Sequence, residues 1–138
     1  MSTRATYRIT EDKGEEFPTD TFYIHYDGYP EGAAEYFHQL LTYREEQKVL
    51  LGTEFRRKSM AAMFEMGIPL SEKTKDHDAH GDTEYRYNLF FGKIGNQVQA
   101  YKRKSIDLGE QYFDHWEEFF KDDIDKFIKQ FRDDRGDL

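Results

Sequence analysis

The chain contains no cysteine. That excludes disulfides, thiolate zinc sites and a cysteine nucleophile together, and it fits a reducing compartment. No apolar run approaches the length of a bilayer span, so a membrane-crossing helix is not expected. The opening "MSTRATYRIT" has no apolar centre of the kind a secretory signal carries, and a cytoplasmic protein is expected. G-x-S-x-G, the P-loop, the dinucleotide fingerprint and helical H-E-x-x-H are all missing. Catalysis would have to rest on histidines and carboxylates alone, so an enzyme is not expected, nor is a cofactor or a bound metal. Positive charge is also in deficit: 28 acidic residues face 20 basic ones, a net charge of -8 before histidine. Direct binding of nucleic acid or of an anionic membrane is disfavoured, because both need a basic surface. A partner that is itself basic would be steered toward the chain. The same acidity would also serve solubility alone.

Aromatic residues are abundant, at 17% of the sequence, with twelve Phe and ten Tyr. Phe is expected to build the core and Tyr to supply amphipathic surface. At 138 residues the chain should form one domain over 1–138. "ATYRIT" and "TFYIHYD" alternate with period two and predict two strands. In the second, Phe22, Ile24 and Tyr26 would share one face, with Tyr23 and His25 opposite. Asp27-Gly28 ends that strand, and Pro30 and Glu31 suit the first turn of a helix running to about Leu51, with Gly52 as its stop. Thr53 is expected to cap a second helix, "EFRRKSMAAMFEM". "TEYRYNLFF" and "NQVQAYKRKS" predict a hairpin. From Gly109 onward, Phe113, Trp116, Phe120, Ile124, Phe127 and Phe131 recur at helical spacing and predict a long amphipathic C-terminal helix. The order ββααββα implies an α+β domain: one antiparallel sheet with helices packed on one face. The other face would be solvated or would meet a partner. An aromatic patch there, with Tyr85, Tyr87 and Tyr101 as its candidates, would point to a homodimer.

Four groups of residues could carry function. In "HYDGYP", His25, Asp27 and Tyr29 could line a ligand pocket beside a helix N-terminus, with Asp27 as base. The same residue types make a sterically sound turn, and Glu31 would repel an anion. "KDHDAHGDTE" holds His77, Asp78, His80, Asp82 and Glu84, which could ligate a metal but match no zinc signature and equally make a solvated loop. "EFRRKSM" and "YKRKS" could form a basic patch only if they converge. Finally, Asp114, Glu117, Glu118, Asp122 and Asp125 would lie on the polar face of the C-terminal helix. From Gly109 onward ten acids face five bases, a net of -5. Such carboxylates could imitate phosphates and occupy a nucleic-acid groove in another protein, although Lys121, Lys126 and Lys129 interrupt the row.

The start "MSTRA", the strand-turn-helix "FYIHYDGYPEGAAEYF", the segment "HGDTEYRY" and "YKRKSID" resemble a family of small proteins from bacteriophages, prophages and other mobile elements. "HYDGYPEG" is the most specific part. No reaction is assigned to that family, so the resemblance transfers no catalytic residues. It implies a protein acting in the cytoplasm of a host bacterium, where small acidic proteins disable defence complexes, as anti-CRISPR proteins do. The expected activity is therefore non-catalytic binding to a host protein or nucleoprotein complex with a basic groove. The alternative is a small-ligand or nucleotide-binding protein, or an enzyme, acting on a defence signal through His25, Asp27 and Tyr29.

Overall fold

The computed structural model describes residues 3–14, 16–57, 59–93, 95–107 and 112–132, with the side chains of 56, 57, 105–107 and 112–114 left aside. The class is α+β. Six strands form one sheet: β1 (Ala5–Glu11), β2 (Thr19–Ile24), β3 (Glu72–Thr74), β4 (Tyr85–Phe91), β5 (Asn96–Asp107) and β6 (Tyr112–Asp123). Their spatial order is β3-β2-β1-β4-β5-β6. All neighbours run antiparallel except β1 and β4, so the sheet is mixed rather than wholly antiparallel. Helices α1 (Pro30–Leu51), α2 (Met60–Gly67) and α3 (Ile124–Phe131) cover one face.

Strict alternation explains that face. Ala5, Tyr7 and Ile9 from β1, Phe22 and Ile24 from β2, Tyr87, Leu89 and Phe91 from β4, and Val98 and Ala100 from β5 are all buried against the helices. The centre is aromatic. Tyr7 stacks on Tyr87 with ring centroids 5.1 Å apart, and Phe37 of α1 meets both rings edge-on at 6.0 and 5.7 Å. Tyr85 shares this side, so of the three tyrosines expected to make an aromatic patch on the uncovered face, only Tyr101 stands there.

Helix α1 keeps the expected bounds, and Gly52, at φ +53°, ends it with its N–H on the Lys48 carbonyl. The second helix starts later than expected. Residues Gly52–Arg57 form a 3-10 segment, and Ser59 rather than Thr53 is the cap, its side chain accepting the Ala62 N–H at 3.0 Å.

The C-terminal segment differs most. Residues 112–123 form a strand paired with β5, and only Ile124–Phe131 is helical. Aromatic and β-compatible residues there find a complete row of backbone partners along β5, and tertiary pairing overrides the local helical period. Ala100 pairs with Phe120 and Tyr101 with Glu118, leaving Phe119 as an extra residue in a β-bulge. The bulge lets both phenyl rings reach α3. Phe119 lies 6.0 Å from Phe131, and Phe120 lies 5.0 Å from Phe127. Strand, bulge and helix thus gather the same aromatic residues that one helical stripe would have gathered.

Candidate interaction surface

Of the five carboxylates expected on a helical face, four lie along the edge strand β6 and the fifth, Asp125, lies in α3. Asp114 is in β6 opposite Ser105, with its side chain outside the described residues. Glu117 and Glu118 are consecutive strand residues, paired with Lys102 and Tyr101, so they project to opposite faces. Glu118 accepts a hydrogen bond from the Gln99 side-chain amide at 2.8 Å. Asp122 pairs with Lys126 at 3.5 Å, and Asp125 occupies the first turn of α3. A continuous helical row of phosphate mimics is therefore not present. In its place is an outermost strand of twelve residues whose exposed side chains include Glu117, Glu118, Lys121, Asp122 and Asp123.

From Lys104 outward, β5 and β6 pair with each other beyond the end of β4, as a two-stranded arm. At its base the Arg86 guanidinium lies 3.9 Å over the Trp116 ring, and Arg86 also donates to Asp78. Cation and ring fix the arm to the sheet. Sequence periodicity does not reveal this pair, because the spacing around Trp116 predicts a helix; the alternation that puts Arg86 opposite Tyr85 and Tyr87 is its only visible signal.

The residues of "HYDGYP" hold the β2–α1 junction together. Asp27 adopts φ +57°, and its carboxylate accepts the Tyr29 hydroxyl at 3.1 Å. Gly28 lies so close to β1 that a Cβ would stand 2.7 Å from the Ala5 Cβ. Its N–H donates to the Thr3 carbonyl at 2.8 Å, and its own carbonyl accepts the Tyr87 hydroxyl at 2.6 Å. Tyr36 donates to the Tyr26 carbonyl at 2.9 Å. His25 takes Glu72 of β3 as its partner, at 3.4 Å. The structure thus brings Asp27 and Tyr29 together and commits His25 to the neighbouring strand.

The loop 75–84 is not simply solvated. β3 and β4 lie on opposite sides of the β1–β2 pair, so the chain between them crosses the sheet, and its bonds to Thr6 and Asn88 put it on the face that the helices leave uncovered. It crosses as a strap. His77 is buried, its Nδ1 2.6 Å from the Thr6 hydroxyl and its Nε2 2.7 Å from Asn88 Oδ1. A neutral ring satisfies both, with Nε2–H donating to Asn88 and Nδ1 accepting from Thr6. Burial is the main reason the His77 pKa falls to about 4; the cations of Arg8 and Arg86 push the same way, against the Asn88 hydrogen bond and Asp78. His80 stacks on Tyr23 with centroids 3.8 Å apart, and the Tyr23 hydroxyl donates to Asp82 at 2.9 Å. Burial, helped by that carboxylate, lifts the Tyr23 pKa to about 12. Among the described residues no three His, Asp or Glu side chains gather as a metal-binding group. No described helix is long and apolar enough to cross a membrane.

Comparison with protein families, curated proteins and solved structures returns no match to this chain.

Proposed function

We propose that this protein acts by non-catalytic binding to a basic partner, with strand β6 as its docking line. The observation that supports this reading is the outer edge of a twelve-residue strand, which pairs with no further strand among the described residues and is lined by exposed Glu117, Glu118, Asp122 and Asp123. An open strand edge is a row of unmet N–H and C=O groups, ready to pair with an incoming segment. Acidic side chains along it discourage a second acidic copy and favour a segment rich in Lys or Arg. With the mobile-element setting that the "HYDGYPEG" resemblance implies, the partner class is a host defence complex with a basic nucleic-acid channel, met in the bacterial cytoplasm. The mode is anti-CRISPR-like occlusion, in which an acidic edge takes the place of a phosphate backbone.

In this reading the "HYDGYP" junction is scaffolding, and the alternative of a ligand site at His25, Asp27 and Tyr29 has less to recommend it. Two of those side chains hold each other, and the third holds β3. The test is capture of host proteins by the tagged chain at low and high salt, followed by affinity measurement with the purified partner. The combined variant Glu117→Gln, Glu118→Gln and Asp122→Asn should bind at least tenfold more weakly and with a shallower salt dependence. Unchanged affinity and salt dependence would reject β6 as the docking line.

A further inference from the structure

The C-terminal ends of the parallel neighbours β1 and β4 open into a pocket of about 240 Å3, roofed by Arg44 of α1, the 3-10 segment and the start of α2. Phe55, Met60, Met63 and Phe91 supply its apolar wall, with Arg44 of α1 and Lys93 of the β4–β5 turn as its cations. A second hollow of about 480 Å3 continues past Lys93 and Gly92 toward Phe90. Ligands of open sheets commonly sit beyond the carboxyl ends of parallel strands, where loops and helix starts leave a crevice.

Arg44 makes this pocket more than a surface dent. Its Nε is buried with no hydrogen-bond partner. Arg4 and Arg86 also bury an Nε in that way, but each has a carboxylate beside it, Asp82 at 3.3 Å and Asp78 respectively. Arg44 has no ion pair among the described residues. The Arg44 guanidinium therefore lines the pocket as a cation with its charge unmatched by a carboxylate, and an entering anion can supply that partner. Lys93, exposed at the rim, is likewise unpaired among the described residues.

The lining also carries Glu11 and Asp12, so its formal charges cancel. The balance is decided by which groups are already engaged. Glu11 accepts the Met60 N–H at 2.6 Å and pairs with Lys13 at 3.6 Å, and Asp12 accepts the Gly14 N–H at 2.9 Å. Both carboxylates hold donors from the protein, whereas neither cation has an acceptor among the described residues. We propose that this pocket binds a small organic anion, in which a carboxylate or phosphate head meets Arg44 and Lys93 and a single-ring apolar body lies against Phe55, Met63 and Phe91. An apolar cavity of about 150 Å3 accommodates benzene, so the pocket has room for one ring and its charged head.

The test uses the full chain with benzoate, phenyl phosphate and the neutral benzyl alcohol, followed by calorimetry and by NMR of the methionine methyl groups. The expected result is saturable binding of at least one anion that shifts Met60 and Met63, with benzyl alcohol at least tenfold weaker. The stronger of the two anions identifies the head group. Arg44→Gln should weaken that anion at least tenfold, and Lys93→Gln, a rim change that leaves the core intact, should weaken it several-fold. If Arg44→Gln fails to fold, the Lys93→Gln result decides. Absence of binding by either anion up to ~10 mM, or anion binding that the decisive variant leaves unchanged, overturns the proposal.

Discussion

At the scale of single residues, two positions carry consequences out of proportion to their size. A Cβ on Gly32 would stand 2.0 Å from the backbone carbonyl oxygen of Asp27, which no side-chain rotation can relieve. Gly32→Ala should therefore cost more than ~2 kcal/mol in denaturant unfolding, by forcing the first turn of α1 away from the strand that precedes it. His77 makes stability depend on pH. Its ring titrates at about 4 in the folded protein because burial opposes the charged form, against an ordinary value of 6.5. As pH falls below 6.5 the unfolded chain takes up this proton first, which favours unfolding. The His77 contribution is thus complete above 6.5 and is lost progressively as pH falls toward about 4. The contribution at stake is roughly 3 kcal/mol. Melting temperatures of the native chain should fall across this window, and His77→Gln should flatten that part of the profile. An equal fall in the variant would assign the acid sensitivity to other groups.

At the scale of elements, β6 and α3 act as one unit because a bulge joins them. Phe119 and Phe120 both reach Phe131, and Phe120 also reaches Phe127, so the outer strand holds α3 against the sheet through their rings. Phe120→Ala should destabilise the protein by about 2 kcal/mol, less than for a fully buried ring because Phe120 is only partly buried. Hydrogen exchange should show faster opening of α3 than of β1. Uniform loosening of the whole sheet would contradict this division. The end of α1 behaves oppositely. Its buried residues all lie between Ala33 and Leu40, and Val49 and Leu50 are 85% and 75% exposed, so the final turns contribute little to the core.

At the scale of the whole molecule, the chain wraps the β1–β2 pair from both sides, with α1 on one face and the strap 75–84 on the other. The sheet then ends in an acidic strand on a protein of net charge -8. Self-pairing along β6 would bring like charges together within one strand spacing, about 4.8 Å. Sedimentation velocity at low ionic strength should show a monomer, with any self-association strengthening as salt screens the edge. A dimer at low salt that salt dissociates would contradict this electrostatic account.

Local chemistry by itself determined a large part of this protein. The alternation in "ATYRIT" and "TEYRYNLFF" specified which side chains enter the core, and Pro30 and Gly52 bounded α1, because these signals act within a few residues along the chain. The tertiary structure alone decided three things. The segment 112–123 became a strand because β5 offered it partners, although its own spacing also satisfied a helix. β4 entered beside β1 in parallel, and that placement turned an apparently solvated loop into a strap with His77 buried beneath it. Arg44 came to lie beside Phe55 and Lys93 only through the packing of α1 over the ends of β1 and β4. Each of these depends on which distant segments become neighbours, and hydrophobic period carries no information about that choice.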